Sequence, residues 1–160
     1  LSGHFIYSFG LIHEVLETDH AGFKSWKYNA SSHFSTIKPF SKEAITQKNY
    51  PGKDALQKYD HTTPSYYCII FDKYRRLYYR FATLPLSEDE YNTADRRHQP
   101  TIIILNEDFK KIGETVLPKR GFNYRMIFLN NMGLHIGKES EYRKDESKLT
   151  FGIFLPKPKL

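Results

Sequence analysis

The side chains able to do chemistry are scattered along this chain rather than gathered into one motif. The seven histidines His4, His13, His20, His33, His61, His98 and His135 show neither an HxxxH pair nor a Cys/His spacing. Those are the patterns that set two ligands on one helix face or turn for a metal. No metal is expected, and no other cofactor, because the chain also lacks a P-loop, a G-x-G-x-x-G fingerprint and a G-x-S-x-G elbow. The acids Glu88, Asp89 and Glu90 are the tightest acidic group. Paired carboxyls held about 5 to 10 Å apart across a bond would support glycoside hydrolysis. Ser87-Glu88-Asp89-Glu90 also fits a capping box with acids in the first helical turn, and that structural reading is preferred. The single cysteine, Cys68, lies in the apolar run SYYCIIF and reads as a small buried hydrophobe. In Tyr78-Tyr79-Arg80, strand alternation puts Tyr78 and Arg80 on one face and Tyr79 and Phe81 on the other. Arg80 is then expected to bridge to a carbonyl or to a carboxylate such as Asp72 across the hairpin, in preference to binding an anion.

Charge says less than it first suggests. The chain of 160 residues carries 24 Lys+Arg against 18 Asp+Glu, for a net charge of +6. Its basic groupings, however, are only the pairs Arg75-Arg76, Arg96-Arg97, Lys110-Lys111 and Lys119-Arg120. A nucleic-acid arm would need a longer block, so nucleic acid is not an expected partner. No apolar run approaches the roughly 18 residues of a membrane span. The opening LSGHFIYSFG has neither an initiating Met nor the order of a signal peptide, so either the protein is cytoplasmic or the chain begins downstream of its natural start.

The elements that must position these groups are strands. Twelve Tyr, twelve Phe and one Trp make aromatics 16% of the chain, a composition suited to pleated, half-buried surfaces. Three aromatic-rich hairpins open at His4, Ser65 and Asn123, spaced 61 and 58 residues apart. Their turns fall at Gly10, at Asp72-Lys73 and at Asn130-Asn131-Met132-Gly133, residue types that tolerate tight turns and positive φ. Further strands are read in FKSWKYNAS, a weaker HFSTIKPF, TIIILN, KKIGETVLP and LTFGIFL, giving units of four, four and three strands. Two weak helix signals, at Ser41 to Ala44 and Ser87 to Glu90, are read as single turns within loops. Tandem sheets of about four strands predict an all-β chain, a β-propeller fragment with blades near 4–38, 65–117 and 123–155. Three such blades do not close a ring of four to eight, so the chain is expected to be a C-terminal piece of a larger propeller or to assemble with other chains, and the missing fourth strand of the last unit favours the first.

In a propeller blade, alternate turns share one face of the disc. The short hairpin turns fall on one side, whereas the connections 40–64, 84–100 and 138–148 all fall on the other. Long loops on a rigid scaffold are where binding is expected. The 84–100 loop has four acids against two bases, and 138–148 has four of each. A polar, roughly neutral ligand or a protein partner suits that surface. Tyr50, Tyr59, Tyr91 and Tyr142 lie in these loops, and Tyr91, Arg96, Arg97 and Tyr142 are taken as the candidate ligand-binding residues.

The stretches YYCIIFDKYRRLYYRFA, PTIIILNEDFKKIGETVLP and RMIFLNNMGLHIGKESEYRKDESKLTFGIFLPK resemble the C-terminal half of the family called domain of unknown function 4221. The resemblance implies a six-bladed TolB-like propeller, an exported protein of a gut Gram-negative bacterium, and in many members a lipoprotein signal. It also implies an N-terminal half outside this chain and a membrane attachment only through a lipid anchor there. No catalytic or ligand residue carries over. The expected function is an extracytoplasmic module, in periplasm or at the cell surface, that binds a glycan, peptide or protein on its long-loop face. The alternative is a glycan-active hydrolase or lyase with acids at the channel mouth.

Overall fold

The computed structural model describes residues 3–22, 24–38, 52–139, 144, 145 and 147–157. Among them the strands are β1 (Phe5–Ser8), β2 (Glu14–Thr18), β3 (Ser25–Asn29), β4 (Ser65–Asp72), β5 (Leu77–Thr83), β6 (Pro100–Leu105), β7 (Lys111–Val116), β8 (Phe122–Asn130), β9 (Gly133–Lys138) and β10 (Phe151–Phe154). Two helices, α1 (Gly52–Thr62) and α2 (Glu88–Tyr91), lie in connections. The strands make three separate antiparallel meanders, β1-β2-β3, β4-β5-β6-β7 and β8-β9-β10, so the described chain is all-β with little helix.

The middle sheet is covered on both faces. Ile103, Leu105, Ala82 and Tyr66 point to the first sheet, where they pack with Val15 and Ala30 and with Phe109 from the middle sheet's own β6–β7 turn. Ile102, Phe81 and Tyr79 point the other way, onto Leu134 and Ile136 of the third sheet. Burial on both sides explains why TIIIL is an unbroken apolar run instead of an alternating one. The turn joining β8 to β9 is fixed by backbone geometry: Gly133 has φ +144°, and a Cβ there would sit 2.8 Å from the Phe154 carbonyl oxygen. Only glycine fits where β10 crosses this turn.

Arg80 ties the first sheet to the second. It lies on the face of β5 that strand alternation predicts, with Tyr78, but its partners are not across its own hairpin. It is fully buried and donates to the carbonyl oxygens of Ile12 at 2.7 Å, Ala30 at 3.0 Å, Glu14 at 3.3 Å and His13, and to Ser8 Oγ at 3.0 Å. Its guanidinium stacks 3.6 Å from the centre of the Tyr66 ring. Asp72, the expected carboxylate, is occupied by Arg75 at 3.2 Å and by the Tyr74 and Arg75 amides, and accepts from Tyr79 Oη at 3.3 Å. The turn therefore consumes its own acid, and the arginine goes to the neighbouring sheet.

Two further expectations change. Described residues 33–38 form no fourth strand in the first sheet. The first amides of this segment go to side chains in place of a ladder: His33 N–H donates to Glu114 Oε2 at 2.7 Å and Phe34 N–H to Ser32 Oγ at 3.0 Å. The 40–64 connection contains the three-turn helix α1, not a plain loop. The turn read at Ser41 to Ala44 lies outside the described residues. At Ser87 the capping box is present in full, with Glu90 N–H donating to Ser87 Oγ and Ser87 N–H to Glu90 Oε2.

Candidate functional site

The described parts of the three long connections meet over one end of the sheets. Lys58 of α1 pairs with Glu88 of α2 at 2.8 Å, and the His61 carbonyl accepts from the Leu86 amide at 3.0 Å. Leu86 is buried and anchors the 84–99 segment there. Arg97 reaches Glu139, at the start of the third connection, at 3.8 Å. Lys119 pairs with Glu90 at 3.0 Å, and Arg120 pairs with Asp95. The Ser87 amide, followed by Lys119, holds the Glu90 carboxyl below the ordinary range. Arg120 does the same to Asp95. These exposed pairs are individually weak, but together they fix a loop that has almost no regular structure of its own.

The expected ligand residues are partly engaged with one another. Arg96 donates from Nε to the Tyr91 carbonyl at 2.8 Å and lies 4.4 Å from the centre of the Tyr91 ring, so the two close the end of α2 on each other. Arg97 is shared between Asp95 at 3.4 Å and Glu139. Tyr142 and Tyr50 lie outside the described residues. Tyr59 donates to the Lys38 carbonyl at 2.9 Å.

Beside this loop cluster is a pocket of about 300 Å³ lined by Asp60, Ser65, Tyr67, Thr83, His98, Pro100, Tyr124 and Arg125. Two irregularities in the strands build it. A bulge between Tyr66 and Cys68 on β4 leaves Tyr67 outside the pairing, so Tyr67, with its ring centre 5.7 Å from that of Phe81, and Cys68 both lie towards one core while Tyr66 points to the opposite one. On β8 the pairing jumps from Asn123 to Ile127, which pushes Tyr124 and Arg125 out of the ladder. The Asn123 side chain steadies that excursion by accepting from the Arg125 amide at 3.0 Å. Bulges commonly re-aim side chains beside functional sites.

Hydrogen bonding fixes the chemistry of the walls. A carbonyl only accepts, so His98 Nδ1, 3.0 Å from the Leu84 oxygen, carries a proton. In the neutral ring its Nε2 then accepts from His61 Nδ1 at 3.1 Å. Tyr124 Oη donates to the Pro118 carbonyl at 2.5 Å. Burial pushes its phenol up to about 12 and raises that of Tyr67 further, so both hydroxyls are neutral at physiological pH. Tyr67 is 39% exposed as a residue, so part of its side chain is open to the pocket. Asp60 and Arg125 have no ion pair or side-chain hydrogen bond among the described residues. Among the described residues no group of three or more metal-ligating side chains converges, and no helix is long and apolar enough to cross a membrane.

Sequence reasoning missed this pocket because its residues come from four separated segments. Tyr124 and Arg125 enter it through the break in the β8 pairing and Tyr67 sits at the β4 bulge, irregularities that leave no mark in hydrophobic periodicity. A larger cleft of about 750 Å³ runs between β7 and β10 and is mostly apolar, with Ile102, Ile104, Val116 and Leu117 facing Leu134, Phe154 and Leu155.

No match is found among curated proteins. A solved structure described as a member of the DUF4221 family from Bacteroides vulgatus ATCC 8482 is similar, with a TM-score of 0.74 and 31% identity. The similarity covers 94% of this chain and 41% of that one, so the chain spans less than half of the molecule it matches. The family described as Domain of unknown function (DUF4221) also matches directly, over residues 2–116. The repeated antiparallel sheets, the solved relative and this match agree, and the chain belongs to that family.

Proposed function

We propose that the three sheets are successive blades of a β-propeller, near 4–38, 65–117 and 123–155, and that the long-loop face of this propeller binds a ligand or a protein. The single observation behind this reading is the convergence of α1, the 84–99 loop and Glu139 around a pocket framed by two strand bulges. The opposite ends of the same strands carry only tight turns closed by their own side chains, at Asp72, Asn106 and Asn130. A face with such turns offers little to a partner. The proposal includes an extracytoplasmic, lipid-anchored protein whose remaining blades precede this chain. That part rests on the sequence resemblance, and the upstream coding sequence together with membrane fractionation tests it.

The hydrolase alternative gains no comparable support. Its nearest acids are committed: Glu90 caps α2 and Glu88 pairs with Lys58. A general acid needs its pKa raised, and that of Glu90 is lowered. The test of the binding reading is a hydrogen-exchange footprint of the full natural polypeptide against polar metabolites, glycans and peptides. Protection is expected in 52–62, 84–99 and 122–126. A ligand that protects only the turns at 72–77, 106–110 and 130–133 overturns it.

A further inference from the structure

Apart from the Tyr67 hydroxyl, the pocket walls have spent their neutral side-chain hydrogen-bond donors on the protein itself. Tyr124 Oη donates to Pro118 and His98 Nδ1 to Leu84, and the second His98 nitrogen is taken by His61. The hydroxyls of Ser65 and Thr83 are 3.0 Å apart, and Thr83 Oγ1 donates to the Ser65 carbonyl at 3.4 Å, so Ser65 donates to Thr83. What these groups still present to the pocket are oxygen lone pairs. Asp60 adds a carboxylate without a partner among the described residues, in the last turn of α1, where the helix dipole also favours positive charge. This side of the chemistry calls for a ligand rich in N–H donors.

Arg125 supplies the opposite chemistry. Its guanidinium has no carboxylate among the described residues and presents a planar set of donors suited to a bidentate carboxylate. Asp60 and Arg125 line one pocket without forming an ion pair with each other. Tyr67, Tyr124 and Pro100 line the same pocket and give it apolar wall. A volume of about 300 Å³ is at the small end of the ~300–1,000 Å³ range of ligand pockets and fits one small molecule, not an extended oligomer.

We infer that this pocket binds a free α-amino acid with an apolar side chain, its carboxylate on Arg125, its ammonium on Asp60 and the neighbouring acceptors, and its side chain against Tyr67. The inference rests on the binding-face reading above and gives it a ligand class. Calorimetric titration of the full natural polypeptide with L-leucine tests it beside two analogues, 3-methylbutylamine, which lacks the carboxylate, and 4-methylpentanoate, which lacks the amine. Leucine is expected to bind at least tenfold more tightly than either. Asp60→Asn is expected to erase its advantage over the acid, and Arg125→Gln its advantage over the amine. Both positions are exposed, so the variants are expected to keep wild-type melting curves without ligand. Equal binding of all three compounds, undiminished leucine binding in both variants, or no binding of leucine, phenylalanine or methionine overturns the inference. If a saccharide or protein protects this face while amino acids do not bind, the ligand class fails and the binding face stands.

Discussion

Arg80 is a buried cation held by dipoles in place of a counter-ion. Burial lowers its pKa to about 10, which leaves it charged at neutral pH. Its fork satisfies the Ile12 carbonyl at the end of the β1–β2 turn and the Ala30 carbonyl just after β3, and adds to the His13 carbonyl, which also accepts from the Ala30 amide at 3.2 Å. The guanidinium thus substitutes for a strand between two sheets, and the Tyr66 face adds a cation–π contact. Arg80→Met keeps much of the volume but leaves the buried Ala30 carbonyl without its donor and strips the carbonyls of the β1–β2 turn of theirs, and the expected loss is about 2 to 4 kcal/mol. Arg80→Lys keeps the charge without the fork and is expected to recover only part of it. Urea unfolding of the two variants measures this, and a loss below about 1 kcal/mol for Arg80→Met would show that the staple contributes little. The sequence placed Arg80 on the correct face, because alternation on a strand is strict. It offered a carbonyl or Asp72 across the hairpin as the partner; carbonyls are right but they belong to the neighbouring sheet, because the turn geometry lets Arg75 reach Asp72 first.

At the scale of elements, the 84–99 segment is held by charges more than by burial, so its order depends on pH. Glu90 and Asp95 both have carboxyl pKa values below their ordinary 4.5 and 3.8. Lowered values mean that the ordered loop binds protons less readily than the disordered one. Its stabilisation is therefore complete above the ordinary values and is lost as pH falls below them towards the lowered ones. Between pH 6 and pH 3 the Ser87 to Arg97 amides are expected to move towards unstructured chemical shifts while the β5 and β6 amides hold. Glu90→Gln should already loosen α2 at pH 6. Identical spectra for the segment at both pH values would refute this account. The capping box was legible because it is a local pattern of two side chains three residues apart. Helix α1 was not legible: it has no buried residue, so it lacks the apolar stripe by which a helix declares itself. The aromatic hairpins were legible for the opposite reason, since strand alternation persists wherever one face is covered. The two pocket-forming bulges break that same alternation and were invisible for it.

For the whole molecule, the asymmetry between its sheets is decisive. The middle sheet is buried on both faces, whereas the first and third are each covered on one. Phe5 and Tyr7 alternate with Ile6 and Ser8 along β1, so the rings that point away from the middle sheet remain open at 51% and 43% exposure, joined by Phe9 at 46%. On the third sheet Phe128 and Ile153 are likewise exposed, and Leu155 beside them. Scattered apolar residues on a surface need no explanation, but rings gathered on both outer sheets exceed what a monomer usually leaves in water. The solved relative, of which this chain spans 41%, has further chain available to cover such faces. The 160 residues expressed alone are therefore expected to self-associate at micromolar concentration and to bind an apolar dye. A polypeptide that carries the further blades of the proposed propeller should do neither. Asp and Lys substitutions at Phe5 and Phe128 should return the short chain towards a monomer while leaving the two internal cores, and hence its strand content, intact. Sedimentation and dye fluorescence decide the matter: a short chain that is monomeric and dye-silent without those substitutions would mean that the outer faces are closed locally, and that the sheets need no neighbours to complete them.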